Sequence, residues 1–361
     1  MIHMKTDYLI IGQGLAGTLV TWFLQQAGQN VLVIDDPRPQ AASRVAAGLI
    51  NPITGRYYVK SWRFDELLPF ARATYAQLEA ELDISLNEER PILRSLLTPA
   101  DENSWWARAD DPDYRKYLVK TPDLSNYHGK IHEAHAYGEV RQSGRAAVGR
   151  LVDAFSRKLD REGLLLHRAI RHEDFDQQDG HWRFGDIQAR AVIFCEGYWG
   201  KFNPFFSYLP FRGAKGEIFR VRIPGMAFKK ILKNRIFVVP LERDLYWVGA
   251  TMENQFANEQ PTEKGKAWLL DQLQQLLNTP FQVEEHLAGI RPTVKDRRPF
   301  LGTHPLLPGL AIFNGLGSKG TSLGPFFAKQ LVDHLVSGNE LDPEVDIRRF
   351  PIKSKSGPTE T

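Results

Sequence analysis

The tightest constraint in this 361-residue chain is a glycine cluster set between a short apolar run and a helical stretch. Tyr8-Leu9-Ile10-Ile11 is apolar throughout, the pattern of a parallel strand buried on both faces. Gly12-Gln13-Gly14-Leu15-Ala16-Gly17 follows at once. A helix is predicted over 15–27, with Leu19, Phe23 and Leu24 among its apolar positions and Gly28 placed to cap it. Val31-Leu32-Val33-Ile34 predicts the next strand, ending on Asp35-Asp36. Together these make a β-α-β unit of about 30 residues.

The three glycines have separate jobs. Gly12 turns the chain off the strand, Gly14 lets the backbone approach a pyrophosphate, and Gly17 lets the helix pack close to the strand. The phosphates would sit at a helix N-terminus, where free N–H groups and the dipole favour negative charge. Asp35 stands where an acid accepts hydrogen bonds from the adenosine ribose. The unit predicts a dinucleotide site, and by itself it does not separate NAD from FAD.

Composition removes other classes. Hydrophobic residues make up 42%, enough for a large core, and the length suggests two domains. The net charge of +3 is spread with no dense basic block, so nucleic-acid binding is not expected. One cysteine, Cys195, excludes an internal disulfide and a Cys-x-x-Cys pair, and its apolar setting reads as a buried strand. No apolar run reaches the roughly 18 to 20 residues of a membrane helix, and residues 1–7 lack a signal peptide's apolar stretch. No metal-ligand spacing is present. A cytoplasmic location without membrane association is the expectation.

Farther along, helices are predicted over 64–82 (kinked or interrupted at Pro69), 145–163 and 263–277. Strands are predicted at 164–170, 180–184, 191–195, 217–222, 235–239, 245–249 and 310–313. Residues 37–56 read as an ordered loop, and the last ten or so as a frayed tail. A second glycine cluster, Gly315-Leu316-Gly317-Ser318-Lys319-Gly320, opens a helix running to about Val336. There is no internal repeat.

Several of these segments resemble one family. Ser43-Arg44-Val45-Ala46-Ala47-Gly48 resembles the second FAD motif of the D-amino-acid oxidase, glycine oxidase and sarcosine oxidase superfamily. Val192-Ile193-Phe194-Cys195-Glu196-Gly197 resembles its strand ending beside the cofactor, and Arg212-Gly213-Ala214-Lys215-Gly216-Glu217 its entry into the substrate-domain sheet. Val248-Gly249-Ala250-Thr251-Met252 resembles its V-G-A-T strand. Gly289-Ile290-Arg291-Pro292, with Asp296, Pro299 and Gly302, resembles its G-x-R-P block. The 315–320 cluster, with Pro325 in the helix, resembles its C-terminal flavin loop. That loop is also similar to the oxidoreductase half of the bifunctional enzyme that completes 5-methylaminomethyl-2-thiouridine in tRNA; the methyltransferase half is not expected within these 361 residues.

The resemblance implies an α/β fold: a Rossmann-like FAD-binding domain (1–90, 145–205 and 285–345) interleaved with an α+β substrate domain (91–144 and 206–284), with 346–361 as a tail. The substrate domain would carry a mixed, largely antiparallel sheet. Cofactor contacts are implied for Gly12, Gly14, Leu15, Ala16, Gly17, Asp35, Asp36, Ser43, Arg44, Ala47 and Gly48. They are also implied for Ile170, Gly197, Arg291, Gly315, Gly317, Ser318, Lys319, Gly320 and Thr321. Arg291 would clamp a substrate carboxylate through its planar fork, the alternative being a structural ion pair. Lys319 would stand by the flavin's pyrimidine edge or be a plain exposed lysine. Ser43 and Arg44 would contact cofactor or cap a loop. Tyr57, Tyr58, Tyr246 and Met252 are candidate pocket walls, with Tyr246 and Met252 joining Arg291 and Lys319 as candidate reactive-site residues; His286 and His304 read as structural. No cysteine lies near the C-terminal motifs and no histidine near 43–48, so the FAD is expected to be noncovalent. A single dinucleotide fingerprint argues against a separate NAD(P)H domain. The implied activity is oxidation of a C–N bond in an amino acid or secondary amine, with O2 or another acceptor taking the electrons. Alternatives are a larger amine, such as a modified tRNA base, or a flavin-binding protein without amine oxidase activity.

Overall fold

A computed structural model describes residues 4–36 and 41–352. Residues 37–40 of the expected loop, and the end of the expected tail from 353, lie outside the described residues.

The first sheet grows from the N-terminal unit. Met4–Ile11 pairs in parallel with Val31–Asp35 on one side and Ile187–Phe194 on the other, and Leu165–His167 adds to the far edge of Val31–Asp35. Leu310–Asn314 joins the upper half of Ile187–Phe194 in parallel, while the antiparallel His181–Phe184 takes its lower half. The apolar runs work because each face has its own core. Tyr8 and Ile10 point into one cluster, Leu9 and Ile11 into the other. Helices Leu15–Gln26, Phe64–Leu82, Val148–Arg161 and Gly320–Ser337 cover the first face with Leu19, Tyr75, Phe155 and Phe327. Pro69 does not interrupt Phe64–Leu82, which runs 19 residues without a break. The helix expected from 145 starts at Val148, because Gly144–Ala146 pairs as a strand with Leu49–Ile50 and Asn87–Glu89.

The second sheet has eight strands, in the order Gln282–Val294, Phe211–Arg222, Leu245–Gly249, Phe237–Pro240, Ile231–Lys233, Ile92–Leu96, Ala136–Val140 and Leu118–Val119. Only the Ile231–Lys233/Ile92–Leu96 pairing is parallel. Gln282–Val294 pairs with Phe211–Arg222 along its length, so residue 285 falls inside a strand of this sheet. One face packs on helix Glu263–Leu276 through Val221, Val238, Tyr246, Val248 and Leu273. The other face, carrying Ile218, Trp247 and Val239, turns toward the first sheet.

That helix is anchored by a buried polar knot. Glu217 accepts hydrogen bonds from the Thr262 N–H (3.0 Å) and hydroxyl (2.8 Å), lies 3.5 Å from Lys215 and bonds His286 at 2.9 Å. Both charges are buried, and each is paired, as burial requires. His286 is structural. His304 is also structural: its Nδ1 accepts from Leu306 and Leu307, and its Nε2 bonds the Phe205 carbonyl.

Candidate functional site

A cavity of about 1070 Å³ lies between the two sheets. It exceeds most small-ligand pockets, which run roughly 300–1,000 Å³. Its floor is the C-terminal end of the parallel strands and its roof is the inner face of the second sheet.

The floor is built by close backbone approach. Gly12 has φ +99°, and a Cβ there would sit 2.7 Å from the Cys195 carbonyl oxygen. A Cβ on Gly17 would fall 1.9 Å from the Gly12 oxygen, so helix Leu15–Gln26 starts directly on the turn. That helix has no side-chain cap at Gly14 and no acid in its first turn. Helix Gly320–Ser337, whose start also lines the cavity, has neither feature. Two helix N-termini without an acid in the first turn therefore face one space. Beside the first, Asp35 receives the Gln13 N–H at 2.9 Å, and its second oxygen takes no hydrogen bond among the described residues. Burial raises the Asp35 pKa, with that N–H opposing. These features fit FAD: anion-binding helix starts for its phosphates, an acceptor for its ribose, and a cavity of about 1070 Å³ lined by both glycine clusters.

Hydrogen bonds tie the second glycine cluster to the Arg-Pro block and its strand to the end of Ile187–Phe194. Gly317 N–H donates to the Pro292 carbonyl at 3.0 Å, and the Asn314 side chain donates to the Gly197 carbonyl at 2.9 Å. Lys319 lines the cavity and donates to the Ser61 hydroxyl at 3.2 Å. Burial, then Arg297 and Arg298, lowers its pKa.

The roof carries Arg291. Its guanidinium lies over Gly216 so closely that a Cβ there would meet Nη2 at 2.2 Å. Ala214, Gly216 and Ile218 share this face, and only the missing side chain at 216 lets the arginine lie flat on the sheet. Among the described residues no carboxylate lies within ion-pair distance of Arg291, and burial alone lowers its pKa. The structural ion pair that would have made it inert is absent among the described residues.

Of the other expected residues, Gly12, Gly14, Leu15, Ala16, Asp35, Asp36, Ser43, Arg44, Ala47 and Gly48 line the cavity. So do Ile170, Gly197, Gly317, Ser318, Gly320 and Thr321. Gly17 and Gly315 do not; they shape backbone behind the wall, Gly315 against Val294. The Ser43 hydroxyl accepts the Leu15 N–H at 3.0 Å, and Arg44 is ion-paired with Asp153. Met252 sits on the rim, 72% exposed.

Three pocket walls need correction. Tyr246 faces the opposite side of the sheet, buried against Phe228 and accepting the Phe228 N–H at 3.2 Å. Its neighbour Trp247 faces the cavity and donates to the Val45 carbonyl at 2.8 Å. Tyr58 is buried against Trp105, Tyr57 is 64% exposed, and neither lines the cavity.

The sequence reading missed Trp247, His172, Phe237 and Lys233. His172 lines the cavity and bonds Glu196 at 2.8 Å. Lys233 lies on the roof at 4.3 Å from the Phe237 ring centroid and donates to the Arg235 carbonyl at 2.9 Å. Burial, aided by Arg94, pulls its pKa down to about 7. Its sequence setting, Lys230-Ile231-Leu232-Lys233-Asn234-Arg235, carries no signal of burial.

Residues 7–334 match the family model for FAD dependent oxidoreductases (DAO). The bifunctional protein ThiO/ThiG of Nostoc sp. strain PCC 7120 is 26% identical over 99% of this chain, which spans only 56% of that protein's length. A glycine oxidase of Bacillus licheniformis is 24% identical, covering 95% of this chain and 96% of that protein. The crystal structure of glycine oxidase from Geobacillus kaustophilus superposes with a TM-score of 0.82 at 21% identity, over 98% of this chain and all of that one. At that identity the likeness shows a shared fold.

Proposed function

We propose that this chain, which belongs to the FAD-dependent oxidoreductase (DAO) family, oxidises a C–N bond in an amine that carries a carboxylate. The observation that carries this reading is Arg291, a desolvated guanidinium without a carboxylate partner among the described residues. It stands on the roof beside the glycine loop at Gly317–Gly320, through the Gly317–Pro292 bond. A carboxylate matches the guanidinium fork with two parallel charge-assisted bonds.

Bound FAD supplies the hydride acceptor for the carbon next to nitrogen. The chain's own part is positioning. Gly12, Gly14 and the first turn from Leu15 and Ala16 hold the phosphates, with Asp35 on the ribose and Ser43, Arg44, Ala47 and Gly48 along the cofactor. Ile170 and Gly197 line the same path, and Ser318, Lys319, Gly320 and Thr321 hold the far end. Arg291 fixes the substrate carboxylate, so the amine nitrogen and its carbon meet the cofactor in one orientation. Lys319 and the Gly320 helix start set positive charge at that end. Trp247, Ile218 and Phe237 give an apolar roof that keeps water from the reacting carbon. The imine released by hydride loss hydrolyses in water, and O2 or another acceptor takes the electrons.

Cofactor attachment is noncovalent in this reading. Cys195 is buried in the core under the first helix and burial raises its thiol pKa, so no thiolate is offered to a flavin ring. Acid precipitation is expected to leave the flavin in the supernatant, and flavin retained on the polypeptide would overturn this.

The test is anaerobic mixing of the holoprotein with a panel of amino acids, N-alkyl amino acids and simple amines while the flavin absorbance is followed. Bleaching by carboxylate-bearing amines supports the reading. Bleaching only by amines without a carboxylate, or none, defeats it. A second reading, a larger amine presented by a macromolecule, is favoured by the exposed rim of Trp199, Phe202 and Met252. In that case free amino acids leave the flavin oxidised, and an RNA carrying a carboxylate-bearing amine on a base bleaches it.

A further inference from the structure

The roof carries a second cation whose surroundings call for an anion. Lys233 lies at the end of Ile231–Lys233, opposite Phe237 on one side and Arg94 on the other. Phe237 in turn opposes Gly249, and Gly249 opposes Ile218. Directly opposed residues share a face, so Lys233, Phe237, Gly249 and Ile218 form one row across the roof. Ala214 and Gly216 continue the Ile218 face along its strand to Arg291. Lys233 and Arg291 thus project from one sheet into one cavity, separated by the row of small and apolar residues.

The charges nearest Lys233 are positive, and Asp101 acts on Arg94 from beyond ion-pair distance. Arg94 is its cross-strand neighbour and Arg235 follows two residues on; Arg235 also lines the cavity. Among the described residues neither Lys233 nor Arg94 has a carboxylate within ion-pair distance. Arg94 makes a hydrogen bond to the Gly55 carbonyl and lies over the Tyr58 ring. Lys233 meets only the Arg235 carbonyl and the Phe237 ring. Like charges directly opposite each other in a sheet destabilise it, and a desolvated lysine without a counter-ion is costly. A core with no use for the charge would place methionine or leucine there. The arrangement is repaid when a ligand brings the missing negative charge.

We propose that Lys233, backed by Arg94, binds a second anionic group of the substrate, so that this site takes an amine bearing two carboxylates, one on Arg291 and one on Lys233. The inference rests on the amine-oxidation reading for its substrate class. Its binding chemistry stands on the two roof cations.

The test uses the FAD-loaded enzyme and non-reactive ligands, read by perturbation of the flavin spectrum and by calorimetry, so no turnover is required. The Lys233 strand stands three spacings of about 4.8 Å from the Gly216 strand under the Arg291 guanidinium, so dicarboxylates of increasing length, from succinate to suberate, are titrated beside monocarboxylates of matching length. Wild-type enzyme is expected to favour the dicarboxylates by about tenfold or more, the worth of one charge-assisted hydrogen bond. Lys233→Met removes that preference and leaves monocarboxylate affinity unchanged, and Lys233→Arg keeps it. A wild-type enzyme without the preference overturns the proposal. So does a Lys233→Met variant that retains the preference, or one that loses both ligand types equally. If Lys233→Met leaves dicarboxylate affinity intact and instead moves the acidic limb of the kcat/KM profile, Lys233 is a base and the proposal fails. Dicarboxylate selectivity without flavin bleaching by any amine would leave this site standing while the oxidation reading falls.

Discussion

Replacing Lys233 with methionine should stabilise the protein at neutral pH, and the gain should vanish in alkali. The unfolded lysine has an ordinary pKa near 10.5, while the folded one is drawn down to about 7 by burial and by Arg94. Between those values the unfolded chain holds a proton that the folded chain has lost. Stability of the wild type therefore rises with pH through this window, and below about pH 7 the full penalty of a buried charge applies. At about 1.36 kcal/mol per pKa unit the ceiling is about 5 kcal/mol. Lys233 keeps some water contact and a carbonyl partner, so we expect about half, roughly 2–3 kcal/mol at about pH 6. Methionine keeps the unbranched stem and the contact with Phe237, so packing is little changed. The assay is thermal or urea unfolding of wild type and Lys233→Met, both with saturating FAD, from about pH 6 to about pH 10. The two curves should converge at the alkaline end. A difference that stays constant with pH, or a variant less stable than wild type at pH 6, would refute the desolvation argument. Adding a dicarboxylate should close the gap from the wild-type side at low pH.

Other outcomes test the rest of the site. Gly216→Ala would put a Cβ 2.2 Å from the Arg291 Nη2, and the flexible end of the arginine must move. We expect an unchanged melting temperature and a carboxylate affinity reduced by about tenfold or more, checked by ligand titration. Gly17→Ala meets backbone 1.9 Å away, which has no side-chain route to relax, so the purified protein should lose most of its flavin absorbance and at least about 2 kcal/mol of stability. Arg291→Met should weaken carboxylate binding by about a hundredfold, the loss of a bidentate pair, while flavin content stays at the wild-type level.

The parts legible in the sequence were those where local backbone geometry demands a residue type. Gly12 and Gly17 stand where backbone passes against backbone, and Gly315 and Gly317 hold the positive φ that favours glycine. Tyr246 was misread for a different reason. In Leu245-Tyr246-Trp247-Val248-Gly249 the four positions from 246 on are buried, because one face meets a helix and the other roofs the cavity. Such a strand has no polar face to reveal its parity, so the register with Phe211–Arg222 decides which aromatic looks inward. Lys233 was invisible for a related reason: its meaning comes from Phe237 and Arg94 on neighbouring strands, the latter far away in sequence. Arg145 belongs to a strand because distant edges at Leu49–Ile50 and Asn87–Glu89 pair with it, overriding a good helical pattern.

The two glycine clusters are some 300 residues apart in the chain, yet the sheet sets them close together. Ile11 pairs with Phe194, and Phe194 pairs with Ile312, so three parallel strands end at one level. With neighbouring strands about 4.8 Å apart, the first and third ends stand about 10 Å from each other. A cofactor laid across these ends would meet the Gly12–Gly17 turn near one end and the Gly317–Gly320 loop toward the other, in the crevice where open α/β sheets bind ligands. The roof strands then have one task at the reactive end: to place charges at fixed positions over that crevice. Gln282–Val294 does so with Arg291, held by the Gly317–Pro292 bond to the loop below, and Ile231–Lys233 does so with Lys233. Changes confined to the roof should therefore alter which amine is taken while leaving cofactor affinity alone, and changes at the strand ends should do the reverse.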